Sequence, residues 1–278
     1  MVALAFYGQQ RIGTLIMPKL INYKLKHPNC CLCGGSVPTE SVEHAPPIVM
    51  FWDKQRLMGM EVPSCLRCNN GSRNEDQLAA FFAIIQSPHF FDKLAKHPEK
   101  LEYISKRTKG CLSNIKKFSE YFPTLGASKL DKLTGLNQIK IDQSVFDDYL
   151  DRWAVKQSLA HWYLEKNTIF SEEGVVCIRW LTNAELMRND ELHEFVSRFR
   201  NTAMLEQGVK NSSDQFYIKF ADVERDLNLA LIFAAYHGTA FMAVIMEDDS
   251  LLNRMNKLPL GNLSSLYKVG PSKGIYKV

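Results

Sequence analysis

Two short stretches decide the fold of the N-terminal part of the chain: CCLCGGSVPTESVEHAPP at residues 30–47 and SCLRCNNGSRNED at residues 64–76. Together they contain two pairs of cysteines, each with two residues between its members: Cys30 with Cys33, and Cys65 with Cys68. A pair at this spacing binds a metal from one tight turn, and two such pairs supply the four thiolates of a tetrahedral Zn²⁺ site. The pattern therefore predicts one structural zinc ion.

Zinc would also compensate for a weak core in this segment. A gap of 31 residues separates Cys33 from Cys65, more than in most zinc ribbons, and it shows little apolar periodicity. Zinc binding of about 10–16 kcal/mol would provide the folding free energy that these residues lack. Gly34 and Gly35 provide permissive backbone after the first pair. We expect that Cys31 does not bind the zinc ion. The alternative is that Cys31 is a ligand in place of Cys30. The competing interpretation is a set of free, buried cysteines.

Residues suited to acid–base and metal chemistry lie between and directly after the cysteine pairs. Glu43 and His44 lie in the loop that the pairs enclose, and Asn69 follows Cys68. A neutral histidine beside a divalent metal is the usual means of deprotonating water at neutral pH. A carboxylate and an amide oxygen suit Mg²⁺, which binds few protein ligands and keeps its waters. We expect Glu43 and Asn69 to hold Mg²⁺ or Mn²⁺, and His44 to act as the general base.

This set of residues resembles the HNH, or ββα-metal finger, nuclease family, in its branch with four zinc-binding cysteines. The resemblance covers residues 28–78 and rests on Cys30, Cys33, Glu43, His44, Cys65, Cys68 and Asn69. It implies a finger of two strands and a helix, a structural Zn²⁺, a catalytic divalent metal and hydrolysis of phosphodiester bonds. DNA is favoured over RNA as the substrate by family analogy alone.

Two positions depart from the commoner HNH pattern, and three residues keep alternative roles. The acidic residue is Glu43 rather than aspartate, and the last position is Asn69 rather than histidine, which lowers the expected affinity for transition metals. Asn69 could instead cap a helix N-terminus, with Asn70 as the fallback ligand. Glu75 is either a further metal ligand or an acid favoured by the helix dipole, and we expect the second role. A Glu-His pair is also common on surfaces, but its place between the zinc pairs favours a site.

Positive charge is concentrated directly after the cysteine-rich region. Residues 77–140 carry 11 Lys/Arg and 5 Asp/Glu, whereas residues 141–278 carry 15 and 19. A local excess of positive charge suits a polyanion, and we expect Lys106, Arg107 and Lys109 to bind a nucleic-acid backbone. The alternative is a solvated helical surface.

The sequence as a whole predicts an α+β protein in three units. Residues 1–76 form the zinc-stapled finger with its lead-in, residues 77–122 a basic helical segment packed on the finger, and residues 138–278 an α+β domain of unknown role, after a loop at residues 123–137. Apolar periodicity predicts the elements of the last unit: helices at residues 144–166 and 183–200, strands at residues 175–181 and 216–220, and a hairpin at residues 227–246.

The apolar run at residues 227–246 could be mistaken for a membrane span. Polar residues and a glycine interrupt it and acidic residues flank it, so two strands joined by a turn at His237-Gly238 explain it better. The odd number of cysteines and the N-terminal residues, which lack a signal-peptide pattern, argue against a secreted disulfide framework. We expect a soluble cytoplasmic protein without a membrane partner, whose C-terminal half offers a surface for a homo-oligomer or a regulatory partner.

Two functions of other classes compete with the nuclease. A non-catalytic zinc finger would bind nucleic acid without cleaving it. A protein-interaction module would use the basic segment only as a soluble surface. The combination of Glu43, His44 and Asn69 favours the enzyme over both.

Overall fold

The computed structural model of the chain describes residues 13–51, 59–85, 149–181, 189–201, 206–207, 210–211, 215–224, 229–248 and 265–278. Within these ranges the fold is α+β, as the sequence predicts. Of the predicted basic helical segment at residues 77–122, residues 77–85 belong to a described helix, Arg73–Ile85, and the rest lies outside the described residues, as does the loop at residues 123–137. None of the described helices is both long enough and apolar enough to cross a membrane.

The N-terminal part folds around a small hairpin. Its elements are α1 (Gly13–Lys26), β1 (Ser41–His44), β2 (Glu61–Ser64), α2 (Leu66–Gly71) and α3 (Arg73–Ile85). Strands β1 and β2 pair antiparallel, with His44 opposite Glu61, and α2 begins directly after β2. We refer to residues 30–71, which contain both cysteine pairs, the hairpin and α2, as the finger. Helix α1 forms the described part of the lead-in before the first cysteine pair.

A long helix and a seven-stranded sheet make up most of the C-terminal part. The elements are α4 (Asp151–Lys166), β3 (Val175–Leu181), α5 (Asp190–Ser197), β4 (Arg200–Asn201), β5 (Glu206–Gln207), β6 (Lys210–Asn211), β7 (Phe216–Glu224), β8 (Leu229–Tyr236), β9 (Thr239–Met246), β10 (Ser265–Gly270) and β11 (Gly274–Lys277). The sheet order is β11-β10-β3-β9-β8-β7-β4, with every neighbouring pair antiparallel, and β5 pairs with β6 separately.

The predicted strands and the hairpin are confirmed. The segment at residues 175–181 is strand β3, residues 216–220 begin β7, and the apolar run at residues 227–246 is the antiparallel pair β8 and β9. His237 forms the turn of that pair with a φ of 52°, a left-handed conformation that suits a two-residue hairpin turn. Both faces of β3, β8 and β9 are covered, which explains why these strands are continuously apolar instead of alternating.

Alternate side chains of the sheet enter two different cores. One face packs on α4 and the finger through Val176, Ile178, Ile218, Phe220, Ile232, Phe241, Ala243 and Ile245. The other face packs on α5 and Phe199 through Val175, Cys177, Leu229, Leu231, Phe233, Met242, Val244 and Met246. The predicted helix at residues 183–200 corresponds to the shorter α5 within the described part of that range.

Helix α4 lies between the finger and the sheet. Its residues from Trp153 to Trp162 are all buried, and Trp153 packs edge-to-face on Tyr236 of β8 with ring centroids 4.9 Å apart. Leu159 and Ala160, within this stretch, are fully buried. Because one buried cluster contains residues of the finger, α4 and the sheet, the position of the finger is tied to the rest of the fold.

Candidate metal centre and the charge cluster beside it

The four predicted zinc ligands come together. One potential ligand atom from each of Cys30, Cys33, Cys65 and Cys68 lies within 4.8 Å of the other three. Four thiolates bound to zinc at about 2.3 Å stand roughly 3.8 Å apart, so only a small contraction is needed. Cys31 is buried next to this cluster but does not belong to it, in agreement with the expectation from the sequence. The residues present therefore fit a structural zinc ion.

Local backbone geometry explains why the two pairs converge. After the first pair, Gly34 and Gly35 have φ values of 82° and 80°, a region that side chains other than glycine rarely adopt, and they turn the chain back. The amide of Cys30 then donates to the Val37 carbonyl oxygen at 2.8 Å. In the second pair, Cys65 is the N-cap of α2, and its sulfur accepts a hydrogen bond from the Cys68 amide at 3.4 Å.

Hydrogen bonds among the thiols of this cluster favour ionisation of one thiol and disfavour ionisation of its neighbours. Hydrogen bonds from the side chains of Cys33 and Cys68 lower the pKa of Cys30 to about 2. The bond to Cys30 raises the pKa of Cys33 to about 12 and raises that of Cys68 beyond its usual range. A zinc ion bound here would replace the remaining protons, and all four sulfurs would then act as thiolates.

Glu43 lies on β1 and points into the protein. The residue is only 5% exposed, and its Oε1 accepts a hydrogen bond from the His44 amide at 2.9 Å. Its Oε2 lies 3.0 Å from the Nζ of Lys156 on α4. A buried carboxylate is costly unless a counter-charge accompanies it, and Lys156 is that counter-charge.

Lys156 connects several polar groups of the finger and α3. Its Nζ donates to the Ser72 hydroxyl at 2.6 Å and contacts the Asp76 carboxylate at 3.2 Å. Two carboxylates, Glu43 and Asp76, thus share one ammonium group. Desolvation raises the pKa of Asp76 to about 7, although Lys156 opposes this shift. Burial disfavours the charge of Lys156, but Asp76 and Glu43 outweigh it and raise the pKa of Lys156. We call Glu43, Ser72, Asp76 and Lys156 the charge cluster.

His44 is the last residue of β1 and points away from the charge cluster. Its side chain is 38% exposed, and its Nδ1 lies 3.7 Å from Oε1 of Glu61, its partner on β2. Strand alternation separates it from Glu43, its neighbour on β1. The strand ends at His44, shortly before Pro46 and Pro47, which cannot continue a strand ladder.

Asn69 lies inside α2 and connects that helix to β1. Its Nδ2 donates to the Ser41 hydroxyl at 3.1 Å and to the Val42 carbonyl oxygen at 3.0 Å. Cys65 is the N-cap of α2, so the alternative in which Asn69 caps the helix is wrong. The side chain therefore fixes the helix to the strand residue directly before Glu43.

The remaining predicted residues have the following places. Glu75 lies in the first turn of α3, as expected, where its carboxylate forms an ion pair with Arg152 at 3.2 Å. Asn70 is an exposed residue of α2. The predicted nucleic-acid-binding residues Lys106, Arg107 and Lys109 lie outside the described residues.

Sequence reasoning missed Lys156, Asp76 and Arg152. A signal for Lys156 exists: in the segment WAVKQSLAHW at residues 153–162 it is the only formally charged residue among apolar and neutral neighbours. A lysine in such a helix requires a carboxylate partner when the helix is buried on all sides. Nothing in the sequence shows that the partner is Glu43, because the two residues are far apart along the chain.

A scan against protein-family models, a search of curated proteins and a search of solved structures each found no match to this chain.

Proposed function

We propose that this protein is a metal-dependent nuclease of the HNH type that hydrolyses phosphodiester bonds, with DNA favoured over RNA as the substrate. One observation carries the proposal: the four-cysteine cluster closes a unit of two strands and a helix in which Glu43 and His44 end β1 and Asn69 of α2 is hydrogen-bonded to β1. The proposed base, carboxylate and amide thus all belong to or contact the one short strand β1, with Glu43 and His44 on its opposite sides.

In this mechanism His44 takes a proton from the attacking water. The ring is half-exposed, so water and substrate reach it from solvent. The Glu61 carboxylate stands near Nδ1, at 3.7 Å, which is beyond hydrogen-bond distance but close enough to favour a proton on that nitrogen. The other nitrogen, Nε2, is then the proton acceptor. Glu61 is therefore an orienting residue for the base.

Glu43 and Asn69 provide the oxygen ligands for a divalent cation in this proposal. A carboxylate oxygen and an amide oxygen suit Mg²⁺ or Mn²⁺, and Nδ2 of Asn69 already donates to β1, so Oδ1 is its ligand atom. Such a cation would neutralise the phosphate and stabilise the leaving oxygen. Zinc at the four cysteines holds the geometry and takes no part in the reaction.

The ion pair between Glu43 and Lys156 sets a condition on this site. Both carboxylate oxygens of Glu43 have partners within the protein, the His44 amide and Lys156. A cation at Glu43 must therefore share the carboxylate with Lys156 or displace its ammonium group. Divalent cation binding and the Lys156 contacts are thus coupled in the proposal.

The same ion pair favours a second candidate, a zinc finger that binds nucleic acid without cleaving it. If Lys156 neutralises Glu43 permanently, the finger keeps its fold and His44 stays accessible on its surface, but no catalytic cation binds. This candidate predicts binding that is indifferent to Mg²⁺ and no loss of substrate.

Incubation of the purified protein with plasmid, linear, branched and RNA substrates distinguishes the two. The nuclease predicts strand breaks that require added Mg²⁺ or Mn²⁺ and stop when the divalent cation is omitted. Zinc content is measured in parallel, so that loss of structural zinc is not mistaken for loss of catalytic metal. Binding of these nucleic acids without breaks at any Mg²⁺ concentration would leave the non-catalytic finger.

A further inference from the structure

A cavity of about 180 Å³ lies where the finger meets α4 and the turn between β10 and β11. Four cationic side chains line it, namely Arg67, Arg152, Lys156 and Lys273, together with the carboxylate of Glu75. Glu75 is the one acidic residue among the described residues that form its wall.

Two of the four cationic side chains in this cavity pair with carboxylates, and the other two have contacts of a different kind. Lys156 at the buried side pairs with Glu43 and Asp76 of the charge cluster, and Arg152 pairs with Glu75 at 3.2 Å. Arg67 and Lys273 lie at the exposed rim and have different contacts. The guanidinium of Arg67 donates to the Ser272 carbonyl oxygen at 2.8 Å, and the Lys273 ammonium stands 4.8 Å from the centre of the Tyr276 ring.

Arg67 and Lys273 thus have no carboxylate partner among the residues that line the cavity, because Glu75 pairs with Arg152. A backbone carbonyl or an aromatic ring attracts a cation but does not cancel its charge. The Arg67 side chain of α2 contacts the β10–β11 turn that carries Lys273, so two cations lie near one another and create a positive potential at the entrance of a concave site. An anion with about two charges matches this excess, and a phosphate monoester carries about −1.5 to −2 at neutral pH.

We propose that this cavity binds a phosphate monoester, with Arg67 and Lys273 as its principal contacts and Arg152 behind them. Nη1 and Nη2 of Arg67 each donate to a backbone carbonyl oxygen, of Ser272 and Gly270, so its charge and its remaining N–H groups are what it offers to a phosphate. The group comes from the terminal phosphate of a nucleic-acid strand or from a free mononucleotide. The site lies on the finger but uses neither His44 nor Asn69, so it does not depend on the proposed cleavage.

Binding measurements on the full-length, zinc-containing protein test the site. The probes are inorganic phosphate, AMP, and a short oligonucleotide with and without a 5′-phosphate, and all titrations omit Mg²⁺ so that no cleavage intervenes. A terminal-phosphate site predicts that the phosphorylated oligonucleotide binds about tenfold more tightly than the unphosphorylated one. A mononucleotide site predicts saturable binding of AMP and phosphate.

The double variant Arg67→Met/Lys273→Met should lose this preference, and a control variant should keep it. The control is Lys26→Met/Arg198→Met, which removes the same net charge from two exposed residues that do not line the cavity. Because Arg67 also holds the Ser272 backbone, Lys273→Met alone is measured as well and should weaken binding without affecting zinc content. Equal binding of both oligonucleotides together with no binding of AMP or phosphate overturns the proposal. So does an unchanged affinity in both cavity variants.

Discussion

Lys156 of α4 lies 3.0 Å from the Glu43 carboxylate of β1, and both side chains are almost fully buried. The contact joins the C-terminal part of the fold to the strand that carries the proposed base, His44. It also makes Glu43, the proposed cation ligand, dependent on a residue 113 positions later in the chain. In the proposed mechanism, the Lys156 ammonium group and a divalent cation therefore compete for the Glu43 carboxylate.

Removal of Lys156 tests this competition. Lys156→Met leaves Glu43 and Asp76 buried without a counter-charge, so we expect a loss of stability of about 3–5 kcal/mol. Because Mg²⁺ then takes the place of the ammonium group, added Mg²⁺ should recover part of this loss in thermal unfolding. The double variant Glu43→Gln/Lys156→Met is the control and should respond less to Mg²⁺. Equal responses of the two variants would show that Glu43 does not bind the cation.

The zinc site has a direct chemical test. Elemental analysis of the purified protein should find one Zn²⁺ per chain, and Cys65→Ala/Cys68→Ala should lose it together with the folded finger, since zinc binding contributes about 10–16 kcal/mol to such sites. Cys31→Ser should keep its zinc, because Cys31 lies outside the cluster. Full zinc retention in the double variant, or zinc loss in Cys31→Ser, would mean that the ligand set is different.

Asp76 should make stability depend on pH. Burial raises its pKa in the folded state to about 7, above the ordinary value, so its contribution to stability is present at low pH and decreases as the pH rises through about 7. The groups that face it are Lys156, Glu43 and Glu75. From pH 5.5 to pH 8.5 the free energy of unfolding of the parent should therefore fall by roughly 1–2 kcal/mol more than that of Asp76→Asn, which lacks the titrating group.

Chemical denaturation of both proteins at several pH values measures the effect. The comparison with Asp76→Asn cancels the titration of histidines and other groups elsewhere in the chain. Parallel stability curves for the two proteins would contradict a raised pKa at Asp76.

Asn69 should contribute both to the stability of the protein and to binding of the divalent cation. Asn69→Ala removes two hydrogen bonds to β1, at a cost of about 1–2 kcal/mol in stability, and in the proposed mechanism it also slows cleavage. Higher Mg²⁺ should restore part of the rate if Oδ1 is a ligand. Asn70→Ala, a neighbour on the exposed side of α2, is the matched control and should cleave normally. A rate deficit that no Mg²⁺ concentration relieves would assign Asn69 a purely structural role.

Local patterns were sufficient to predict much of the fold. Strand β3 and the β8–β9 hairpin are apolar runs bounded by turn residues, so their limits follow from the sequence alone. The cysteine spacing predicted which four thiols would meet, and Cys31 was correctly left out. Helix α1 was missed because its apolar residues from Leu15 to Ile21 form a run broken only by Pro18 and Lys19, without the spaced stripe that marks a helix.

The interior of the site could not be predicted in the same way. Helix periodicity indicates which face of α4 is apolar, but α4 is buried on nearly all sides and Lys156 therefore faces another part of the chain rather than solvent. The pairing of Lys156 with Glu43 depends on how the finger docks on α4, which is a long-range property of the fold. The same docking brings Arg67 of α2 to the turn that carries Lys273, and no local pattern records it.

The rate at which His44→Ala cleaves nucleic acid shows whether His44 is the general base. His44 is half-exposed and its side chain lies outside the charge cluster, so its removal should spare zinc, folding and nucleic-acid affinity. Loss of a general base slows a reaction by ~10²–10⁴-fold, and we predict at least ~10²-fold slower cleavage than the parent at matched Mg²⁺. His193→Ala, an exposed histidine of α5, is the control and should cleave at the parental rate. Equal rates for His44→Ala and the parent, or no Mg²⁺-dependent cleavage by the parent on any of the substrates, would contradict the account.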